Sequence, residues 1–124
     1  MTSGALLAAI AVVLGAFGAH ALKAVLQPEQ LQVFETGVRY QFYHSFALMI
    51  TGIVYGSMPR KQIKLAGTFF LIGIILFSGS LYVLTFLKMY GDVGLRGLGI
   101  LTPIGGVFFI LGWLFLLLGI VRKN

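Results

Sequence analysis

The sequence predicts an all-α integral membrane protein, a four-helix bundle formed by a single domain over residues 1–124. Apolar residues make up 59% of the 124 residues and charged residues only 10%, whereas soluble proteins typically have about 45–50% and about 25%. The mean hydropathy is +1.01. Four apolar segments approach the ~20 residues that a helix needs to cross a bilayer. This composition excludes a soluble enzyme and a disordered tail.

The four predicted spans follow one another along the chain with short polar connections. Three of them carry no charged residue, and the second contains Arg39 and His44. None of the segments alternates between polar and apolar residues, so a membrane β-barrel is disfavoured. The predicted spans are Gly4–Leu22, Val38–Tyr55, Leu65–Leu87 and Pro103–Val121.

Local signals predict where some helices begin. Gln27-Pro28-Glu29 predicts the start of a helix. Proline is favoured at the first helical position, and an acidic side chain is favoured near the positive end of the helix dipole. Residues 28–36 are therefore expected to form a short amphipathic helical approach before the second span. Thr102-Pro103 predicts the start of the fourth span. The glycine-rich residues 88–101 are interpreted as a loop or a re-entrant segment.

Small residues recur at helical spacing and predict close helix packing. The first span has Gly4, Ala8, Ala11, Gly15 and Gly18. Such residues let membrane helices approach closely, since lipid gives helices no hydrophobic reason to associate. We expect a tight left-handed bundle with little lumen, which disfavours a pore through one chain. The same role is predicted for Gly52 with Gly56 and for Gly105, Gly112 and Gly119.

The distribution of charge predicts the orientation and the partners. The net charge is +6, but the basic residues are too scattered for a nucleic-acid-binding surface. The pairs Arg60-Lys61 and Arg122-Lys123 lie on the side of the two termini, which favours cytoplasmic termini. Expected partners are membrane lipids, together with a second copy or another protein. The chain has no cysteine, so disulfides and cysteine-bound metals are excluded.

Ten polar residues are predicted to lie near one membrane face, because alternate helix ends meet there in an up-down bundle. With cytoplasmic termini, this is the non-cytoplasmic face. Ionisable residues inside a membrane are functional candidates by default, and we expect the set to form a polar network that binds a ligand. The set comprises His20, Glu35, Arg39, Tyr40, Tyr43, His44, Ser78, Ser80, Tyr82 and Thr102.

Structural alternatives exist for these residues. Glu35 precedes Arg39 by four residues, which favours an ion pair within one helix that anchors it at the interface. Tyr40, Tyr43 and Tyr82 are also typical of the aromatic belt, and each histidine is also expected to hydrogen-bond to a neighbouring helix. Ser78, Ser80 and Tyr82 are also expected to link neighbouring helices. These roles would fix the bundle without binding anything.

No cofactor or metal is expected. Two histidines with Glu35 or Asp92 would make a two-histidine, one-carboxylate set, but the histidines lie on different spans and lack a metal-ligand spacing. Tight glycine packing also leaves no slot for haem. Nucleophile elbows, phosphate-binding loops and dinucleotide fingerprints are absent from the sequence.

Four ordered motifs resemble a known family of small bacterial membrane proteins, domain of unknown function 423, and eukaryotic transmembrane protein 256 is similar. The resemblance covers essentially the whole chain and implies a four-helix protein of the inner or plasma membrane, with no established activity. All ten polar residues fall within the motifs, and the resemblance carries nine of them over, all except Tyr43, with no assigned chemistry. The motifs are GAFGAHAL (residues 15–22), FETGVRYQFYH (34–44), FSGSLY (77–82) and TPIGG (102–106).

Three functions are compatible with these observations. The favoured one is a non-enzymatic binding or transport-associated module for a lipid headgroup or small solute, in which Arg39 contacts an anionic group. The second is a membrane-embedded enzyme with His44 or Glu35 as general base. The third is a structural or assembly subunit whose polar residues only fix the bundle.

Overall fold

A computed structural model describes residues 1–89 and 97–122, and these residues form an antiparallel helical bundle. A short 3₁₀ turn, Leu22–Ala24, follows the first helix, and a π-helical segment, Ile74–Ser78, joins the third helix to the fourth. The helices are α1 (Thr2–His20), α2 (Pro28–Ser57), α3 (Lys61–Gly73), α4 (Gly79–Met89) and α5 (Leu98–Val121).

Helix α2 begins where the sequence predicts, and it includes the amphipathic approach without a break. Pro28 is its first residue, and Gln27 and Gln30 satisfy each other's backbone N–H groups in a capping box. The predicted approach is therefore the first part of a continuous helix of 30 residues. Arg39 lies eleven residues into this helix, about 16 Å from its start at the usual helical rise.

The start of α5 was predicted wrongly. The helix begins at Leu98, so Thr102 and Pro103 lie inside it and do not open it. Leu98, Ile100 and Leu101 favour helix. The first four N–H groups of a helix have no partner within it, so proline at the sixth position removes one backbone hydrogen bond. Within residues 88–101, predicted as a loop or re-entrant segment, Lys88 and Met89 end α4 and residues 98–101 begin α5. Residues 90–96 lie outside the described residues.

Three helical stretches have the length and composition to cross a membrane: Thr2–Ala24, Lys61–Met89 and Leu98–Val121. The outer faces of α1 and α5 carry exposed Leu6, Val12, Ile110 and similar side chains, as expected for surfaces in contact with lipid. Helix α2 is long enough to cross but is more polar. It packs between α1 and α3, and its crossing of the membrane stays a prediction.

Glycines bring the helices into contact, as the sequence predicts. A Cβ atom on Gly18 would lie 2.8 Å from the ring of Phe34, and one on Gly112 would lie 2.6 Å from the ring of Phe70. Gly105 faces the backbone of Phe77 and Gly119 faces Ile63 in the same way. Gly56 is the exception, since it is exposed and has open space around it. The prediction that Gly56 lies in a packing seam is therefore wrong.

These contacts also fix the register of the helices. Gly18 near the end of α1 meets Phe34, whereas Gly4 near its start meets Ser45 and Met49. Helix α1 packs mainly on α2, while α5 packs on α3 and on the π-helical segment. Arg39 consequently lies beside the middle of α1 and not at an end of this helix pair.

Candidate functional site

The polar side chains that hydrogen-bond between helices form two groups, and the single network expected from the sequence is absent from the described residues. The buried hydroxyls of Ser45, Thr51 and Thr85 donate only to carbonyls of their own helices. The first group links α1, α2, α4 and the start of α5. The second lies around His44, between α2 and α5. The predicted residues divide between these groups and the outer surface. Some side chains point into the bundle and form hydrogen bonds there, while others on the same helices point outward.

Gln41 is the centre of the first group. Its side-chain amide donates to the backbone carbonyl of Leu7 in α1 at 2.8 Å. Its side-chain carbonyl accepts a hydrogen bond from the Tyr82 hydroxyl at 2.6 Å. Gln41 is almost completely buried, so one side chain joins α1, α2 and α4. Such interhelical bonds hold membrane helices in a fixed register.

Two serines extend this group along the π-helical segment and α4. The Ser78 hydroxyl donates to the backbone carbonyl of Gly37 in α2 at 2.7 Å. The Ser80 hydroxyl donates to the carbonyl of Phe77 at 2.8 Å and lies 2.6 Å from the Thr102 hydroxyl. Because the only proton of Ser80 is already donated, Thr102 is the donor in that pair. The predicted residues Ser78, Ser80, Tyr82 and Thr102 are thus brought together.

His44 forms the second group, and its partners fix its tautomer. Its Nδ1 lies 2.8 Å from the backbone carbonyl of Tyr40, which can only accept. Its Nε2 lies 3.2 Å from the indole Nε1 of Trp113, which can only donate. His44 is therefore neutral with the proton on Nδ1. Its ring stacks on Phe109 with centroids 3.6 Å apart, so His44 fills the space between α2 and α5.

The side chains of the remaining predicted residues form no hydrogen bond within these groups. His20, Glu35, Arg39, Tyr40 and Tyr43 are all exposed. The ring of Tyr40 packs on Phe77, with centroids 4.7 Å apart, and its backbone carbonyl accepts from His44. The predicted set thus divides between the inside of the bundle and its outer surface.

Arg39 borders an apolar groove between α1 and α2. The groove has a volume of about 250 Å³ and is lined by Ala11, Val12, Gly15, Val38, Arg39 and Phe42. Small residues on α1 create the space, since a Cβ on Gly15 would meet only Val38, at 3.5 Å. The lining is wholly apolar, so Arg39 borders the groove with its hydrocarbon stem, and its exposed side chain adds a positive charge beside an apolar slot.

Gln41 and Trp113 are the residues that the sequence analysis missed. Gly37, Gln41 and Ser45 recur every four residues, the spacing of one helix face, and all three are buried. That spacing could have identified Gln41 as an inward-facing residue. For Trp113 the only signal was an indole N–H inside an apolar segment, where such a donor usually needs an acceptor.

No metal site is formed in the described part of the chain, where no group of three His, Asp or Glu side chains comes together. Asp92, considered for such a site, lies outside the described residues. Every fully buried side-chain nitrogen or oxygen of residues 1–89 and 97–122 has a hydrogen-bond partner. The interior polar groups therefore satisfy one another.

Comparison with known proteins identifies the family. The family described as "Protein of unknown function (DUF423)" matches residues 14–106. The chain belongs to the DUF423 family. This confirms the resemblance of the four motifs, while the similarity to eukaryotic transmembrane protein 256 stays a prediction.

Curated DUF423 relatives are named as membrane proteins. The chain is 44% identical to a UPF0382 membrane protein of Staphylococcus aureus (strain bovine RF122 / ET3-1), over 93% of this chain and 88% of the relative. It is 38% identical to the UPF0382 membrane protein YwdK of Bacillus subtilis (strain 168), over 96% and 93% of the two chains. No solved structure matches the chain at a significant level. This DUF423 chain is therefore a membrane protein, and its relatives' names assign no activity.

Proposed function

We propose that this protein is a non-enzymatic module of the plasma (inner) membrane that binds a lipid with an anionic headgroup in the groove between α1 and α2. The observation that carries the proposal is the exposed Arg39 beside an apolar groove of about 250 Å³. One acyl chain would lie against Val12, Val38 and Phe42, and the phosphate would bind the guanidinium.

The position of Arg39 explains why it would need such a partner. An arginine facing the apolar part of a membrane costs several kcal/mol, and extension of the side chain towards the headgroups lowers that cost. A phosphate accepts two parallel hydrogen bonds from the planar guanidinium, which is stronger and more specific than a contact with lysine. Helix α1 contributes Ala11 and Gly15 to the groove, and these small side chains leave room for a lipid chain beside α2.

The interior polar groups support a role without catalysis. Both ring nitrogens of His44 are engaged, and its hydrogen bonds require the neutral form. The Tyr82 and Ser78 hydroxyls donate to acceptors within the protein. A general base must reach a substrate proton, and His44 would have to break its contact with Trp113 to do so.

The basic residues at one end of the bundle support the proposed orientation. The start of α1, the start of α3 and the end of α5 lie at the same end, where Arg60, Lys61, Lys64 and Arg122 are found. An excess of basic residues is typical of the cytoplasmic side. We therefore place both termini in the cytoplasm, which puts Arg39 nearer the outer leaflet.

The test is lipid binding by the purified full chain. Native mass spectrometry would compare phosphatidylglycerol with phosphatidylcholine for the wild type, Arg39→Gln, Arg39→Lys and the control Lys88→Gln. Lys88 is an exposed cation on α4 towards the same end of the bundle. Loss of a charge-assisted hydrogen bond should weaken phosphatidylglycerol binding about tenfold in Arg39→Gln. Arg39→Lys should bind with intermediate affinity, and Lys88→Gln should bind like the wild type.

A second candidate, a structural or assembly subunit, is favoured by the complete hydrogen bonding of the buried polar side chains. On that alternative, a folded Arg39→Gln variant would retain lipid as the wild type does. That result would contradict lipid binding by the groove.

A further inference from the structure

A second groove lies at the opposite end of the bundle, between α1 and α3. It has a volume of about 200 Å³. Ser3, Tyr55 and Lys64 lie at its outer end, while Leu48 and Leu71 line its inner part. Because Lys64 and Leu71 are seven residues apart on one continuous helix, the groove extends about 10 Å along the bundle.

One glycine, Gly67 of α3, leaves space in this groove. Gly4 and Gly52 also lie on its lining, but a Cβ atom on either would lie within 3 Å of Ser45 or Met1. A Cβ on Gly67 would meet only the methyl group of Thr51, at 3.5 Å, so Gly67 faces space and not a tightly packed neighbour. Since α1 packs mainly on α2, the gap between α1 and α3 stays open.

The charged side chains of the described residues around this groove are all basic. Lys64 is exposed at the groove, and Lys61 and Arg122 are exposed at the same end of the bundle. The Arg60 guanidinium is used within the protein, where it donates to the backbone carbonyls of Gly119 and Arg122 at the end of α5.

The carboxylates of the described residues lie elsewhere. They are Glu29 and Glu35, and both are in the first turns of α2, at the other end of the bundle. Lys64 therefore faces no carboxylate of the described residues. An anionic ligand complements this end of the protein, and the apolar slot selects one that carries a hydrocarbon chain.

We propose that the groove between α1 and α3 holds one acyl chain of an anionic phospholipid, whose phosphate binds the Lys64 ammonium. The Ser3 and Tyr55 hydroxyls lie at the level where the glycerol and headgroup would sit, and tyrosine is typical of that interface. This site does not depend on the function proposed above, because it uses different residues at the opposite end of the bundle.

The experiment locates the lipid chain directly. The full-length protein is incorporated into vesicles of phosphatidylcholine containing phosphatidylglycerol with a photoreactive group in one acyl chain, and cross-linked positions are mapped by mass spectrometry. Cross-links at Leu48 and Leu71 are expected. They should fall about fivefold in Lys64→Gln, the effect of removing one lysine near an anionic surface, and stay at the wild-type level in Lys88→Gln.

A second variant tests the slot itself. Gly67→Leu fills the groove and should abolish these cross-links, while Gly67→Ala adds only a methyl group in ordinary contact with Thr51 and should retain most of them. Soluble glycerol phosphate should not compete with the lipid. Arg39→Gln should leave the cross-links at Leu48 and Leu71 unchanged, which separates this site from the groove beside Arg39.

Three outcomes would overturn the proposal. The first is wild-type cross-linking in both Lys64→Gln and Gly67→Leu, with thermal unfolding in detergent showing that each variant is folded. The second is competition by glycerol phosphate as effective as that by the lipid, which would show that the acyl chain contributes nothing. The third is equal cross-linking of a phosphatidylcholine probe, which would show that Lys64 does not select the anionic headgroup.

Discussion

The two faces of α2 differ although they come from the same eight residues, 37–44. Gly37, Gln41 and His44 point inward and are buried against α1, the π-helical segment and α5. Arg39 and Tyr43 point outward and are exposed. Both faces carry polar side chains. The direction of a side chain, more than its chemical type, therefore decides whether it fixes the bundle or meets the surroundings.

The inner face provides the interhelical contacts that lipid alone would not drive. In a membrane, helices associate through close packing and interhelical hydrogen bonds. Gln41 and His44 supply such bonds to three other helices, and glycines let the helices come close enough for them. The outer face contributes little to this packing, so its residues are available for binding at the protein surface.

The largest effect is expected from replacing His44 on the inner face. His44→Ala removes a ring stacked on Phe109 and two hydrogen bonds, and should lower the free energy of unfolding by about 3 kcal/mol. His44→Phe keeps the ring and should cost only about 1 kcal/mol. Reversible unfolding in detergent would measure both. Equal losses in the two variants would show that packing against Phe109 contributes nothing.

The sequence was sufficient for the helices and for most of the packing seams. Gln27-Pro28 marks the start of α2 because the capping and the proline ring act locally. Gly105, Gly112 and Gly119 are seven residues apart, and their common face, which packs against α3 and the π-helical segment, follows from helical geometry alone. Local chemistry and the helical period determine these features, so each can be predicted from the sequence of its own segment.

The partners of the polar residues were not predictable in this way. Gln41 contacts Leu7, 34 residues away, and His44 contacts Trp113, 69 residues away. Such pairs depend on the register between two helices, and the sequence of a single span gives no information about that register. The start of α5 was also not predictable from one local motif. The motif Thr102-Pro103 suggested a helix start, but the preceding residues already favour helix, so Thr102 faces Ser80 from inside α5.

An intermediate effect is expected for the link between Gln41 and Tyr82. Gln41→Leu leaves the Tyr82 hydroxyl without its acceptor, and the free energy of unfolding should fall by about 1.5 kcal/mol. Tyr82→Phe removes the donor instead. In a double-mutant cycle, the two changes should couple by about 0.5 to 1 kcal/mol. Additive losses would show that the hydrogen bond contributes nothing to stability.

The smallest effect on stability is expected from a substitution on the outer face of α2. This substitution is the control for Gln41→Leu on the inner face. Tyr43 lies two residues from Gln41 on the same helix but is 53% exposed. Tyr43→Leu should therefore change the free energy of unfolding by no more than about 0.5 kcal/mol, as is usual for surface substitutions. Both positions receive leucine in the same helix, and the difference of a few tenths of a kcal/mol between the helix propensities of glutamine and tyrosine is small beside the expected loss at Gln41. A loss in Tyr43→Leu as large as that in Gln41→Leu would mean that the outer face also carries packing, and that a partner covers it.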